Sequence, residues 1–214
     1  MANKITVARL VGHTFGDASI HKNKKYFIYT NSNEELQRIV FKKVNELFGN
    51  ITFNIGTSIS KTPRYQYSNK VGKFLVENGA PVGSKVLQPT NVPNWILNGS
   101  EEIEATFLAA IFDDEGYFRN SEKCRQIVFK SAKELSLKKQ LEKYLLQIIK
   151  MLQDLQIETS GIKKDQIKKR KDGKEIISLR FWITGKNNFS NFKEKIPILH
   201  PEKKLKLLNM APTG

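Results

Sequence analysis

Two short segments of this sequence resemble each other, and each carries an acidic residue at the end of a predicted helix. The first spans residues 10–18 (LVGHTFGDA) and the second spans residues 108–116 (LAAIFDDEG). Aligned end to end, they place Asp17 opposite Glu115, which lies 98 positions later (115 − 17) in a chain of 214 residues. A repeat separated by nearly half the chain predicts a duplicated fold, in which the two carboxylates meet in one shared site.

The elements predicted around the two segments follow the same order in each half. In the first half, the hydrophobic pattern predicts helices at 4–16, 33–48 and 69–77 and strands at 17–22, 25–31, 51–60 and 64–68. In the second half, it predicts helices at 101–113, 132–155 and 187–195 and strands at 117–120, 125–130, 157–171 and 174–184. Each half has the order αββαββα, so we expect an α+β fold of two pseudo-symmetric halves, 1–98 and 99–214.

The charge of the chain is strongly unbalanced. It has 36 Lys and Arg residues against 21 Asp and Glu, which gives a formal net charge of +15. Cationic side chains that neutralise phosphates release the counterions condensed around nucleic acid, so an excess of this size favours a nucleic-acid partner. The alternative is a basic protein whose charge only keeps it soluble.

The cysteine, histidine and apolar residues exclude several classes of protein. Cys124 is the single cysteine of the sequence, so an intrachain disulfide is impossible and a reducing compartment is expected. One cysteine and three histidines also exclude a Cys/His zinc site. No stretch approaches the ~20 apolar residues of a membrane-spanning helix, and residues 1–6 lack the apolar run of a signal peptide. We therefore expect a soluble, cytoplasmic protein without membrane contact.

Small residues recur on the helix that carries each segment. Gly12 and Gly16 are four positions apart in the first helix, and Ala109 and Ala110 fall in the matching region of the second. Residues this small let two helix backbones approach closely, so we expect the two helices to pack side by side. The alternative is that each glycine only interrupts its own helix, at a cost of about 1 kcal/mol relative to alanine.

Parallel packing of these helices would bring Asp17 and Glu115 together at the two C-terminal ends. Helix C-termini carry unpaired carbonyl oxygens and partial negative charge, so two carboxylates there repel each other and the helix ends. A divalent cation relieves this repulsion, and such oxygen ligands suit Mg²⁺, with Ca²⁺ or Mn²⁺ as substitutes. A metal beside a phosphate ester promotes its hydrolysis. The alternative for either acid alone is a role in a helix cap or turn.

The segments at 10–18 and 108–116 resemble the LAGLIDADG motif that names a family of homing endonucleases. The second copy is the closer match, because the first departs from the motif at His13, Thr14 and Ala18. The resemblance covers nearly the whole chain, since each family half has the order αββαββα. It implies a monomer whose antiparallel strands form a concave saddle in the DNA major groove, with the helices on the other face.

The resemblance also implies a set of metal ligands. The eighth residue of each family motif binds metal, and here these residues are Asp17 and Glu115. The backbone carbonyls that precede them, those of Gly16 and Asp114, are further candidate ligands.

Two segments resemble the ends of the halves in intein-encoded and archaeal members of the family. They are residues 81–85, followed by 92–96, and residues 199–203. A lysine at these places reaches the active site in such relatives, which implies catalytic roles for Lys85 and Lys203. A lysine near a scissile phosphate can stabilise developing charge or orient the attacking water. The alternative is that both lysines are solvated surface charges.

The family also places a polar residue at the end of the second hairpin strand, near the water of the active site. This implies Asn31 in the first half and Lys130 in the second as further candidate catalytic residues. Because the two differ chemically, we expect their roles to be unequal and the two DNA strands to be cut at unequal rates.

The candidate DNA contacts lie on the predicted strands and their turns. Alternate residues of a strand face opposite sides of a sheet, so one side can meet DNA while the other packs under helices. The first-half candidates are His21, Lys22, Lys24, Tyr26, Lys61, Arg64 and Gln66. The second-half candidates are Arg119, Arg125, Lys168, Arg170, Lys174 and Arg180. Arg and Gln suit base edges and the basic run at 168–171 suits phosphates, with simple solvation as the alternative.

These features together predict an intron-encoded, Mg²⁺-dependent endonuclease that hydrolyses both strands of a long, asymmetric double-stranded DNA target. Two alternatives share the fold: a maturase that binds the RNA of its host intron, and a non-catalytic DNA-binding regulator. The two acids favour the nuclease without excluding a dual function. An intein is disfavoured, because residues 210–214 contain no His-Asn pair. The abundance of Lys, Asn and Ile indicates an AT-rich genome, and the segment HPEK at 200–203 favours a prokaryotic, archaeal origin.

Overall fold

The computed structural model describes residues 3–210, which fold into two halves with the same order of elements. The elements before residue 100 are α1 (Lys4–Phe15), β1 (Ala18–Ile20), β2 (Phe27–Thr30), α2 (Glu34–Phe48), β3 (Phe53–Thr57), β4 (Pro63–Tyr67), α3 (Asn69–Glu77) and α4 (Asn94–Leu97). The later elements are α5 (Glu101–Glu115), β5 (Tyr117–Ser121), β6 (Cys124–Glu134), α6 (Lys138–Asp154), β7 (Lys163–Lys169), β8 (Glu175–Ile183), α7 (Lys186–Lys195) and α8 (Pro201–Met210). Residues 1–2 and 211–214, on which the signal-peptide and intein expectations partly rest, lie outside the described residues.

Each half contributes an antiparallel sheet of four strands to the part of the chain that the structure describes. The strand order is β1-β2-β4-β3 in the first sheet and β5-β6-β8-β7 in the second. The α+β fold with a duplicated αββαββα order is therefore confirmed, while the boundary at residues 98 and 99 stays a prediction. Between residues 3 and 210, no helix is both long enough and apolar enough to cross a bilayer.

One face of each sheet packs under helices and the other is open. In β2, Phe27 and Tyr29 are buried, whereas Ile28 and Thr30 are only half-buried. The same alternation leaves Arg180 of β8 exposed. We call the less buried side the open face, and its central residues are Ile28, Thr30, Arg64 and Gln66 in the first sheet and Val128, Lys130, Arg180 and Trp182 in the second.

The strand register shows which residues of the two halves are equivalent. Thr30 pairs with Arg64 in the first sheet, and Lys130 pairs with Arg180 in the second. Thr30 and Lys130 therefore occupy matching positions, and the counterpart of Asn31 is Ser131. The expected equivalence of Asn31 and Lys130 is wrong by one residue, because the two hairpins differ in length and a sequence pattern does not fix register.

Helices α1 and α5 lie side by side and run in the same direction. Gly12 faces Ala110 and Gly16 faces Asp114, so the contacts follow the same order along both helices. A Cβ on Gly12 would lie 2.7 Å from the Cβ of Ala110 and 2.9 Å from the carbonyl oxygen of Phe107. No larger residue fits there without a backbone shift, so the close packing expected from the small residues is confirmed.

The helical pattern at 132–155 predicts one long helix, but its first residues fold differently. Strand β6 continues to Glu134, and α6 begins only at Lys138 after a single 3₁₀ turn. The ladder between β6 and β8 extends to the pair Glu134 and Ile176. These hydrogen bonds to another strand outweigh the helix propensity of the segment.

Three smaller differences also arise from tertiary contacts. Helix α5 continues to Glu115, two residues beyond the predicted end at 113. Strand β7 begins at Lys163 rather than 157, because Ser160 instead bonds to Trp182 through its backbone N–H, at 2.8 Å, and its hydroxyl, at 3.0 Å. Helix α8 was not predicted, although Pro201 at its first position is a common start of a helix.

Candidate active site

The two motif acids lie at the C-terminal ends of α1 and α5. Asp17 follows Gly16, the C-cap of α1, and Glu115 is the last residue of α5. Burial, together with the nearby carboxylates of Asp114 and Glu115, raises the pKa of Asp17 to about 7. Desolvation by the surrounding protein also raises the pKa of Glu115, although the residue as a whole is exposed. Asp17 is half-buried and the charge of Glu115 acts on it, so a cation beside the two carboxylates would stabilise the site.

Asn31 holds the Asp17 carboxylate in place. Its Nδ2 donates to Asp17 Oδ2 at 2.7 Å, and its Oδ1 accepts from the backbone N–H of Asn33 at 2.8 Å. Gln37 Nε2 donates to the backbone oxygen of Asn31 at 2.6 Å. The start of α2 therefore fixes the amide that orients Asp17, because the bond to its oxygen leaves its nitrogen directed at the carboxylate.

Two lysines donate to the helix ends that carry the acids. Lys85 Nζ donates to the backbone carbonyl oxygen of Gly16 and, at 3.0 Å, to that of Ala18. Lys203 Nζ donates to the carbonyl oxygens of residues 112–114. Burial lowers the pKa of both lysines, while the surrounding carboxylates oppose that shift. Each ammonium group offsets the partial negative charge of one helix end.

The side chains at this site suit a divalent metal whose remaining ligands come from a substrate or from water. Asp17 and Glu115 provide hard carboxylate oxygens, and burial with mutual repulsion raises the pKa of Asp17. The carbonyls of Gly16 and Asp114, the other expected ligands, accept hydrogen bonds from the two lysines. Within residues 3–210, no group of three or more His, Cys, Asp and Glu side chains could hold a metal. An ion here therefore needs phosphate or water oxygens, as Mg²⁺ commonly does.

The raised pKa of Asp17 predicts how stability without metal depends on pH. Its pKa of about 7 in the folded protein exceeds the ordinary value of 3.8, so its stabilising contribution is complete below about pH 4 and is lost as the pH rises through 7. We compare the free energy of unfolding of the wild type with that of Asp17→Asn in EDTA. Between about pH 4 and pH 8, we expect the wild-type value to fall by about 2–4 kcal/mol relative to that of the variant. Urea denaturation of both proteins measures this, and a pH-independent difference contradicts it.

The carboxylate of Asp114 crosses from α5 into the first half, which the sequence analysis misses. It accepts from the backbone N–H of Asp17 at 2.9 Å and from the Tyr29 hydroxyl at 2.8 Å, and it lies 3.0 Å from His13 Nδ1. Gly16 makes room for it, because a Cβ at this position would collide with the Asp114 side chain. The alignment of a glycine with an acid in the repeat is the signal that could have indicated this contact.

Asp113 joins both central helices to the C-terminal segment. Its buried carboxylate pairs with Arg9 of α1 at 3.2 Å and accepts from the backbone N–H groups of Leu199 at 3.0 Å and His200 at 2.9 Å. Arg9 also donates to the Pro197 carbonyl oxygen at 2.9 Å. This network fixes the segment that leads into α8 and its active-site lysine. Sequence reasoning misses it, because Arg9 resembles an ordinary exposed helix residue.

Lys133 anchors the segment that carries Lys85. Its side chain is only 2% exposed, and its Nζ donates to the carbonyl oxygens of Lys85 at 2.6 Å and Gln88 at 2.8 Å. Burial lowers the pKa of Lys133 to about 8. A residue of the second half therefore positions a lysine that donates to the end of α1. The sequence alone does not indicate the role of Lys133, because the residues around it have the hydrophobic pattern of a helix.

Replacing Lys133 with Met is expected to loosen residues 85–88 while preserving the fold. The change removes two charge-assisted hydrogen bonds but keeps the apolar stem, so we expect backbone amides of 85–88 to exchange about 10–100-fold faster. Hydrogen exchange measures this directly. The matched control is Lys138→Met, which removes an exposed ion pair with Glu142 at 3.5 Å. Equal exchange in both variants contradicts the anchoring role.

The open face of the second sheet borders the site. A cavity of about 830 Å³ lies over this face and reaches Glu115 and Lys85. The candidate residues that also line it are Arg119, Arg125, Lys130 and Arg180. A smaller cavity of about 330 Å³ joins Asp17, Asn31 and Lys203. Glu115 therefore lines a cavity over the second sheet, whereas Asp17 lines a separate cavity beside the first sheet.

The remaining candidate DNA contacts line neither of these two cavities and lie in loops and on strands of the two sheets. Those in the β1–β2 loop are His21, Lys22, Lys24 and Tyr26. Those on strands are Arg64, Gln66 and Lys168, and those in the β3–β4 and β7–β8 turns are Lys61, Arg170 and Lys174. Arg170 and Lys174 already have acidic partners, Asp172 at 3.3 Å and Glu134 at 3.1 Å. The DNA contacts themselves stay predictions.

Comparison with known proteins finds one matching family profile and related sequences. The sequence profile of the LAGLIDADG-like domain matches residues 102–197. Over 222 aligned residues the chain is 25% identical to the tRNA-splicing ligase RtcB of Pyrococcus furiosus. This alignment covers 94% of this chain and 22% of that protein. It is 28% identical over 120 residues to the replication factor C small subunit of Methanocaldococcus jannaschii, covering 51% of this chain and 6% of that protein. The chain thus spans about a fifth or less of these relatives.

Solved structures share the fold over nearly the whole chain. Mesophilic variants of the homing endonuclease I-DmoI match with a TM-score of 0.58 and 14% identity, covering 94% of this chain and 96% of theirs. Full-length DUF199/WhiA from Thermatoga maritima matches with a TM-score of 0.58 and 12% identity, covering 99% and 62%. I-DmoI in complex with DNA and Ca matches with a TM-score of 0.56 and 13% identity, covering 90% and 89%. Residues 102–197 therefore match the LAGLIDADG-like domain, and nearly the whole chain shares the fold of these solved structures.

Proposed function

We propose that the protein is a site-specific, divalent-metal-dependent endonuclease that hydrolyses both strands of a long, asymmetric DNA duplex. One observation carries the proposal: Asp17, Glu115, Lys85 and Lys203 converge where the ends of α1 and α5 meet. Open, basic strand faces lie beside this point, as a duplex would require. Since both halves belong to one chain, the protein acts as a monomer on an asymmetric target.

The residues present suit Mg²⁺ as the metal of this site. Asp17 and Glu115 would hold it, and Ca²⁺ or Mn²⁺ could take its place. The chemistry that Mg²⁺ supplies in such a site is activation of water and stabilisation of the leaving oxygen. I-DmoI has been solved with DNA and Ca, and variants of it with target DNA and Mn or Mg.

The chain's own residues have separable tasks in this proposal. Asn31 orients the Asp17 carboxylate through a hydrogen bond of 2.7 Å. Lys85 and Lys203 place two cations beside the acids, where they can stabilise charge that develops on a phosphate. Lys130, whose charge acts on Glu115, lies on the open face of the second sheet. Ser131, the counterpart of Asn31, has no amide, so we expect unequal cleavage of the two strands.

Selection from a randomised duplex library tests the proposed function. Duplexes retained by the protein in Ca²⁺ are sequenced, placed in a supercoiled plasmid and incubated with Mg²⁺ or with EDTA. We expect a nicked intermediate and then linear product at the selected site, with Mg²⁺ only. Selected sites that are bound but remain uncut in Mg²⁺ and Mn²⁺ contradict the nuclease, and failure to retain any duplex contradicts DNA binding altogether.

A non-catalytic DNA-binding protein is the second candidate, and one observation favours it. The ammonium groups of Lys85 and Lys203 already bond the carbonyls of Gly16 and Asp114, so the helix ends are neutralised without a metal. The selection described above separates the two candidates, because a binder retains the same duplex and leaves it uncut. Binding of host-intron RNA, the third expectation, stays a prediction.

A further inference from the structure

The acidic residue Asp165 lies among cations on the open face of the second sheet. Asp165 lies on the edge strand β7, where Lys164 pairs with Leu179 and Gln166 pairs with Ser178. Asp165 is therefore the extra residue of a β-bulge, a feature that redirects a side chain at the edge of a sheet. Its side chain is only 17% exposed, so it is held against its neighbours rather than solvated.

Asp165 binds cations from two other strands. Its Oδ2 lies 2.7 Å from Lys130 Nζ, and its Oδ1 lies 3.3 Å from an Nη of Arg180. Lys130 and Arg180 are directly opposite each other in the ladder between β6 and β8. Like charges in that arrangement repel, so one carboxylate between them allows both cations to occupy the open face.

The arrangement orients Arg180 while leaving it accessible. Its guanidinium carbon lies 6.0 Å from the centre of the Trp182 ring, and its side chain is 46% exposed. Asp165 and Trp182 thus restrict the guanidinium on two sides. Arg180 lines the cavity of about 830 Å³ that Glu115 also lines. A guanidinium held in this way loses less freedom when it binds a further partner.

We propose that Asp165 is a positioning residue that directs the Arg180 guanidinium toward a guanine of the target DNA. The inference rests on the proposed DNA target. It names guanine as a base that is recognised and Arg180 as the side chain that recognises it. The fork of an arginine matches the O6 and N7 acceptors of guanine in the major groove, and such a bidentate contact gives about 10–100-fold discrimination among bases. Asp165 contributes by holding the guanidinium in one orientation, while Lys130 balances the remaining charge of the carboxylate.

Base preference, measured by sequencing the duplexes that each variant retains from the randomised library, tests this inference. We expect the wild type to prefer guanine strongly at one position. Asp165→Asn should weaken that preference about 10–100-fold and leave the other positions unchanged, and Asp165→Glu should restore it in part. Arg180→Lys should weaken the same preference, because an ammonium group lacks the rigid planar fork that Asp165 holds in one orientation.

The control is Asp172→Asn, which removes the ion pair with Arg170 at the tip of the same hairpin. We expect it to leave every base preference unchanged. A guanine preference that survives in Asp165→Asn contradicts the positioning role. A uniform loss of base preference at all positions in Asp165→Asn also contradicts it. Such a loss, together with a lower melting temperature, indicates that Asp165 has a structural role only. If the wild type retains DNA without any base preference, the proposed site-specific function fails as well, which distinguishes the two failures.

Discussion

Replacing Asp17 with Asn, or Glu115 with Gln, is expected to lower the rate of double-strand cleavage about a thousandfold, which corresponds to about 4 kcal/mol of barrier. Each change preserves the shape of the side chain and removes one anionic oxygen ligand. Asp17 loses little else, because Asn31 can still donate to the remaining amide oxygen of an asparagine. The reduced activity would therefore reflect lost metal binding rather than a damaged fold.

Affinity for DNA should remain in both variants. Removing a negative charge that would face a phosphate lowers repulsion, so we expect the Kd for the selected duplex to be unchanged or smaller. Strand-specific end labels measure cleavage of each strand separately, and the wild type should cut them at unequal rates. Glu122→Gln, a change in the exposed β5–β6 turn, is the matched control and should cut at the wild-type rate. Full activity in either motif variant contradicts the assignment of the acids.

Replacing Asp113 with Ala is expected to lower the free energy of unfolding by about 3–5 kcal/mol. The change leaves Arg9, which is 4% exposed, without its carboxylate partner, and it leaves the N–H groups of Leu199 and His200 without an acceptor. An uncompensated buried charge is among the costliest defects in a folded protein. Because the same contacts fix the segment before α8, the variant should also lose cleavage activity.

Urea denaturation of three variants tests this prediction. Asp113→Ala should be the least stable, and Arg9→Met combined with Asp113→Ala should recover part of the loss, since it removes the unpaired charge. Arg38→Met, which breaks an exposed pair with Glu34 at 3.7 Å, is the control and should change stability by less than about 1 kcal/mol. A loss below that value in Asp113→Ala contradicts the role of the network.

The sequence was most informative where structure depends on neighbours in the chain. The helix predicted at 33–48 forms as α2, because Asn33 is its N-cap and accepts from the backbone N–H of Leu36 at 2.9 Å. The motif glycines predicted close helix packing for the same reason, since the presence or absence of a Cβ is a local property. The order αββαββα follows from hydrophobic periods that each element carries by itself.

The sequence was least informative where a residue is defined by a distant partner. Lys133 belongs to a strand only because β8 pairs with it, and its own neighbours favour a helix. The side chains of Asp113 and Asp114 bond groups up to 104 positions away in the chain, so no pattern near them shows their roles. The register error at Asn31 has the same origin, since the lengths of two hairpins decide which residues are equivalent.

Anomalous diffraction from crystals of the protein bound to its selected duplex in Mn²⁺ tests the central claim most directly. That claim is that Asp17 and Glu115 hold a divalent metal in one composite site at the ends of α1 and α5. We predict anomalous peaks within coordination distance of both carboxylates and of a DNA phosphate oxygen. No peak at either carboxylate in a complex that contains DNA, with Lys85 and Lys203 still bonded to the helix-end carbonyls, would contradict it.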